Sequence, residues 1–215
     1  MENRSKEPSS VSEAHSRLME EIIDREWRMF DQVHNEGGRA SCQNNWPEFR
    51  IMRTSQFTPW PDELLESYLS DLKAAEATGR NLLTEKYGRM MASTAPEEYE
   101  KIKHVFPVLS DQRVREQEDV IAIETTWNEE FAAEHPKYAG RGRLIHTRDD
   151  TPYDTSSETY LRGELSTYSD RTAALYSDWI RSLARRGQNL AALTAEALVR
   201  EYGYSSVEHA ESMMR

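Results

Sequence analysis

The sequence contains one cysteine, Cys42, among its 215 residues. A single thiol excludes an intrachain disulfide and a zinc site built from several cysteines. Glycine and proline are also scarce, with nine and eight residues, which is typical of long helices joined by few turns. A β-sandwich would need more turn residues. These shortages favour an all-α fold.

Long apolar runs and excess positive charge are missing too. No apolar run approaches the roughly 18 residues of a membrane span, and residues 1–10 lack the apolar stretch of a signal peptide. We therefore expect a cytoplasmic protein without membrane contact. The 38 Asp and Glu residues outnumber the 27 Lys and Arg residues, giving a net charge of −11. This balance disfavours binding to a nucleic-acid backbone.

Aromatic residues are plentiful, with 10 Tyr, 5 Trp and 5 Phe, and they argue against global disorder. The length suits one hydrophobic core. Residues 1–11 are polar and predict a disordered tail, so we expect a single helical domain over 12–215.

Four long stretches show the apolar spacing of helices. They run from Ser12 to Gly37, over 61–93, over 110–136, and over 156–186. Shorter helices are predicted after Pro47, after Pro96 and over 189–202. In the fourth stretch, alternating spacings of four and three residues predict a bundle seam from Leu161 to Leu183. The sequence thus predicts an irregular helical bundle of four long helices plus short ones.

Some polar residues fall where these helices should be apolar. Glu26 lies at the centre of the apolar arc of the first helix, because each residue turns the helix by about 100°. Burying an unpaired carboxylate costs several kcal/mol, so Glu26 should meet an arginine, a metal or a proton-transfer role. In the second helix, Glu76 and Arg80 are four residues apart and are predicted to pair.

The segment 37–45 is rich in groups that bind ligands. Gly37 and Gly38 free backbone N–H groups, and Arg39 supplies a planar fork for an anion. Arg39, Arg50 and Arg53 could converge on an acidic ligand or on Glu26; the alternative is a connector satisfied by its own amides. Cys42 as a nucleophile would need a base, with His34 nearest in sequence, and an inert thiol is the alternative.

Metal chemistry is left open. A carboxylate-bridged di-iron site needs Glu-x-x-His pairs, and Glu26, Glu124 and Glu164 have no histidine three residues on. A site made of carboxylates alone would suit Mg²⁺ or Mn²⁺. A divalent metal is therefore the cofactor to consider.

Several motifs resemble a microbial family known as a domain of unknown function. They are EWRMFDQVHNEGGRASCQ (26–43), FRIMRTSQF (49–57), SYLSDL (67–72), GRNLLTEKYGRMMAST (79–94) and ETYLRGELSTYS (158–169). The resemblance implies a helical protein, in some relatives fused to a nucleotidyltransferase-like domain. Polar positions within the motifs include Arg80, Asn81 and Glu85, which it adds to the candidate site.

The leading hypothesis is a small-molecule enzyme acting on a polar, anionic substrate. Its site is expected between the first, second and fourth predicted helices, under the 37–45 segment. The candidate catalytic residues are Glu26, Cys42, Glu85 and Glu164. The candidate substrate-binding residues are Arg39, Gln43, Arg53, Arg80 and Asn81. The alternative is a non-catalytic binding module working with a nucleotidyltransferase-like partner, and a homo-oligomer is also left open.

Overall fold

The computed structural model describes residues 12–34 and 38–214. Within these ranges the chain forms eleven α-helices and no strand, which confirms the all-α prediction. The helices are α1 (Glu13–Asp31), α2 (Trp46–Phe57), α3 (Asp62–Ala77), α4 (Leu82–Thr94), α5 (Pro96–Ile102), α6 (Asp111–Glu134), α7 (Pro136–Ala139), α8 (Ser157–Leu165), α9 (Asp170–Arg185), α10 (Leu190–Glu201) and α11 (Val207–Ser212). The predicted tail, 1–11, and Gly37 lie outside the described residues.

Helix α1 follows the first predicted pattern closely. The Ser12 side chain caps it by accepting a hydrogen bond from the backbone N–H of His15. Its apolar arc, including Ile22 and Phe30, is buried. The third pattern also forms one helix, α6, which Ser110 caps.

Two of the four predicted long helices are each divided into two helices in the structure, so these predictions were wrong. The second divides after Ala77, where Gly79 adopts a φ of +71° and allows the chain to turn. Asn81 then caps α4 by accepting a hydrogen bond from Thr84 N–H. The fourth divides at residues 166–169, and Ser169 caps α9. The predicted seam is therefore shared by α8 and α9, which are separate helices.

The main core lies where α3 packs against α1 and α9. Ile22, Leu65, Leu72 and Ile180 are fully buried there. A second, smaller cluster joins α10 and α11 to the end of α6, around Phe131 and Val199. None of the helices in the described ranges is both long and apolar enough to span a membrane.

Helix α2 positions the candidate site. It packs against α1 and α10, while its Arg53 and Gln56 reach α8 through side-chain hydrogen bonds. Polar side chains thus bridge α2 and α8, and two adjoining cavities share Met52 and Gln56 as lining residues.

Candidate functional site

A buried ion pair joins Glu26 of α1 to Arg53 of α2. Arg53 Nε donates to Glu26 Oε2 at 2.6 Å, and Arg53 Nη2 donates to Oε1. Tyr68 Oη also donates to Oε1, at 2.7 Å. Glu26 has no exposed surface, so its charge is compensated entirely within the protein. This confirms that Glu26 meets an arginine.

Glu164 of α8 extends this network to α4. Its Oε2 accepts a hydrogen bond from Lys86 Nζ at 2.6 Å. Its Oε1 accepts bonds from Gln56 Nε2 at 2.9 Å and from Arg53 Nη2 at 3.3 Å. Two carboxylates therefore face two cations, and the network, which includes Tyr68 of α3, links five helices.

Electrostatics keep both ends of this network charged. Burial alone would raise the pKa of Glu164, but the charges of Arg53 and Lys86 hold it well below its usual range. Burial would likewise lower the pKa of Arg53, yet Glu164 and Glu26 hold it well above its ordinary value. Glu164 is consequently a poor proton acceptor near neutral pH.

A cavity of about 340 Å³ opens beside this network, and we term it the Arg143 pocket. Its apolar walls include Phe30, Phe49 and Leu83. Its polar lining residues are Cys42, Asn45, Glu48, Arg53, Gln56, Lys86, Tyr87, Arg143, Tyr160 and Glu164. The pocket thus joins an aromatic wall to a cationic one, a combination that suits an organic ligand with a charged group.

Three polar side chains cluster around the ring of Tyr160. Lys86 Nζ lies 4.3 Å from the ring centroid, and the Arg143 guanidinium carbon lies 4.1 Å from it. Tyr160 Oη donates to Tyr87 Oη at 3.0 Å, and burial raises the pKa of Tyr87. The Tyr87 hydroxyl therefore stays protonated at neutral pH, and because it accepts from Tyr160 its own proton can be donated to a ligand.

Arg53, Lys86 and Arg143 are the cations that line the pocket. Arg53 and Lys86 pair with glutamates, whereas no acidic side chain in the described ranges pairs with Arg143. Its Nη1 donates to the Thr155 carbonyl at 3.3 Å, and the residue is exposed. Glu48, which also lines the pocket, accepts a hydrogen bond from Tyr202 Oη at 2.6 Å. Arg143 is thus the positive charge that remains for a ligand.

Several candidates from the 37–45 segment stabilise the segment itself. Gln43 is buried, and its Nε2 donates to the carbonyls of Phe30 and Val33 at 2.7 and 2.9 Å. It therefore supplies hydrogen-bond donors to backbone carbonyls at the C-terminal end of α1. Arg39 donates to Asn44 Oδ1 at 2.8 Å and also pairs with Asp31. These contacts hold both side chains outside the lining of the Arg143 pocket.

The candidates near the α3–α4 turn also lie apart from the pocket. Arg80 pairs with Glu85 through two hydrogen bonds of 2.8 Å, and Glu76 pairs with Arg25. The predicted Glu76–Arg80 pair is therefore wrong, because the turn at Gly79 interrupts the helix between them. Asn81 Nδ2 donates to the Met29 carbonyl at 2.8 Å and so ties this turn to α1.

Cys42 is exposed and lines the Arg143 pocket. Its role as a nucleophile stays a prediction. Three further lining residues, Lys86, Tyr160 and Arg143, were missed. Lys86 carried a signal, since it lies three residues after Leu83 and four before Met90, on the apolar side of its helix. Arg143 sits in a polar segment, where no pattern marks it.

The described residues include no group of three or more His, Cys, Asp or Glu side chains arranged to hold a metal. Glu26, Glu85 and Glu164 are instead paired with Arg53, Arg80 and Lys86. These carboxylates thus accept hydrogen bonds from arginine and lysine side chains, and they do not converge as metal ligands would.

Comparison with known proteins places the chain in a family. No curated protein and no solved structure matches it significantly. One family model, described as "Protein of unknown function (DUF4125)", matches residues 16–212. This match spans α1 to α11 and agrees with the resemblance seen in the motifs. The chain belongs to the DUF4125 family.

Proposed function

We propose that the chain binds a small organic anion in the Arg143 pocket. The observation that carries this proposal is the Arg143 guanidinium, which lies over the ring of Tyr160 near the Lys86–Glu164 pair and has no acidic partner in the described ranges. An arginine fork matches the geometry of a carboxylate or phosphate. The Tyr87 hydroxyl adds a hydrogen-bond donor, and Phe30 and Phe49 pack against the ligand body.

The geometry supports binding better than acid–base catalysis, because Glu26 and Glu164 already accept hydrogen bonds from cations. Turnover of the bound anion and cooperation with a nucleotidyltransferase-like partner both need this binding step. Both stay predictions, as do self-association and a cytoplasmic location.

The test is calorimetric titration with benzoate and phenyl phosphate, and with benzamide as the neutral counterpart of benzoate. We expect at least one anion to bind, and benzoate to bind more tightly than benzamide if it is that anion. Arg143→Gln should weaken the binding at least tenfold. Arg148→Gln is the matched control, because Arg148 is exposed on the same segment and does not line the pocket. Equal affinities of wild type and Arg143→Gln would contradict the proposal.

A further inference from the structure

A second cavity, of about 330 Å³, adjoins the Arg143 pocket and shares Met52 and Gln56 with it. Its walls come from α2, α6, α7, α8, α9 and α10, and we term it the Glu124 cavity. Five aromatic side chains line it: Trp60, Trp127, Phe131, Tyr138 and Tyr176. Both cavities have aromatic walls, but the Arg143 pocket is also lined by three cations.

Glu124 gives this cavity its charge. Among the described residues that line it, Glu124 is the sole acid, and no Lys, Arg or His is present. Tyr176 Oη donates to Glu124 Oε1 at 2.8 Å. Within the described ranges, Oε2 accepts no hydrogen bond and the side chain of Asn128, which lines the same cavity, has no partner. Polar atoms thus remain available to a ligand.

A carboxylate among aromatic rings has a specific complement. Ring faces carry partial negative charge and attract cations, above all alkylammonium groups, in aromatic cages. A carboxylate at the same site adds an ion pair and a strong hydrogen-bond acceptor. An anion, by contrast, would meet no positive side chain in this lining.

We propose that the Glu124 cavity binds an organic ammonium ion, with its nitrogen between Glu124 Oε2 and the aromatic walls. The cavity volume exceeds that of a single methylammonium group and leaves room for an organic body against Leu190 and Leu198. This site is separate from the proposed anion site, although the two lie side by side along α2.

Titration of Glu124 gives the proposal a pH signature. Burial raises the pKa of Glu124 to about 8, so an ammonium ligand must displace a proton at pH 7. The other titratable lining groups are Tyr176 of α9 and Tyr138 of α7, and burial raises the pKa of both. Glu164 of α8 acts on Glu124 through its charge, and its own pKa lies well below the usual range. Of these groups, Glu124 alone changes its charge between neutral pH and pH 9.

The experiment compares two cations with neutral molecules of the same shape. Choline is paired with 3,3-dimethylbutan-1-ol, and 2-phenylethylammonium with 2-phenylethanol. Binding is followed by calorimetry and by the fluorescence of Trp60 and Trp127, which line the cavity. We expect at least one cation to bind at least tenfold more tightly than its neutral partner. Its affinity should rise by up to tenfold per pH unit between pH 6 and 7.5.

Variants test whether the cation binds in the Glu124 cavity. Glu124→Gln should abolish both the preference for the cation and the pH dependence, while Glu130→Gln, exposed on the same helix, should change neither. Thr194→Phe fills the cavity from α10 without altering Glu124 and should also weaken binding. Arg143→Gln should leave cation binding unchanged, which separates this site from the proposed anion site. Binding of neither cation, or equal binding of the neutral molecules, would overturn the proposal.

Discussion

At the scale of single residues, Glu26 shows how the fold tolerates a carboxylate with no exposed surface. Arg53 and Tyr68 satisfy both of its oxygens. Glu26→Gln removes the charge and leaves the Arg53 guanidinium with one acidic partner fewer. We expect the free energy of unfolding to fall by about 3 kcal/mol, measured by urea denaturation.

Glu20→Gln is the matched control for this change. Glu20 lies on the same helix, and its exposed carboxylate is 3.6 Å from Arg50. Exposed pairs contribute little, so the loss should stay below about 1 kcal/mol. Equal stability of Glu26→Gln and wild type would contradict a buried ion pair that supports the fold.

Glu124 illustrates the opposite case, a carboxyl group whose charged form is opposed by its surroundings. Burial raises its pKa to about 8, whereas in the unfolded chain its pKa is about 4.3. Between these values the unfolded chain binds fewer protons than the native chain, so stability falls as pH rises. Glu124→Gln removes this effect, and relative to wild type it should be more stable at pH 9 than at pH 5 by about 4 kcal/mol.

Urea titrations of both proteins at pH 5, 7 and 9 measure this difference. Glu130→Gln is the control, because its carboxylate is exposed on the same helix, and its curve should parallel that of wild type. A difference between Glu124→Gln and wild type that does not change with pH would contradict the raised pKa.

At the scale of helices, the contact between α4 and α8 depends on Gly163. A Cβ atom there would lie 2.8 Å from Met90 Cγ and 3.0 Å from the Lys86 carbonyl oxygen. The carbonyl belongs to the α4 backbone and cannot turn aside. Gly163→Ala should therefore destabilise the protein by about 2 kcal/mol in thermal or urea unfolding, despite the higher helix propensity of alanine.

Gly88 offers a matched comparison on the facing helix. A Cβ atom at Gly88 would collide with the outer ring atoms of Phe106. Phe106 belongs to the segment that follows α5, and its ring can move away with that segment. The Gly88→Ala variant should therefore lose less stability than Gly163→Ala. The reverse order would show that the α4–α8 contact adjusts more easily than the structure indicates.

The helices themselves could be predicted largely from local signals. Ser12 and Ser110 cap α1 and α6 where the sequence placed their starts. The break before α9 was missed because Tyr168 and Thr172 continue the apolar spacing across it. The partner of Arg80 was missed for a related reason, since the turn at Gly79 moves Glu76 away and brings Glu85 close.

The site was harder to predict than the helices. Glu26 could be recognised as a buried acid from its helical position alone, and Arg53 was among the arginines expected near it. The Arg143–Tyr160 contact joins a polar segment to α8, and the Tyr176–Glu124 bond joins α9 to α6. Such contacts depend on how the helices pack against one another, and no local sequence pattern predicts this packing.

At the scale of the whole molecule, burial is unevenly distributed, and local stability should follow it. Helix α3 buries Leu64, Leu65, Tyr68 and Leu72 in the main core, whereas α5 has no buried residue. Opening α5 exposes little apolar surface and should cost far less free energy than opening α3. Amide hydrogens of α5 should therefore exchange at least 100-fold faster than those of α3, measured by hydrogen–deuterium exchange with mass spectrometry.

Helix α11 separates the effect of burial from that of helix length. It has six residues, one fewer than α5, yet it buries Val207 and Ala210 against the second core cluster. Glu196 Oε1 also accepts a hydrogen bond from Val207 N–H at 3.0 Å, which ties α11 to α10. We expect its exchange rates to lie between those of α5 and α3. Equal rates in α5 and α11 would mean that length controls local opening, and equal rates in α5 and α3 would mean that all helices open together in one cooperative step.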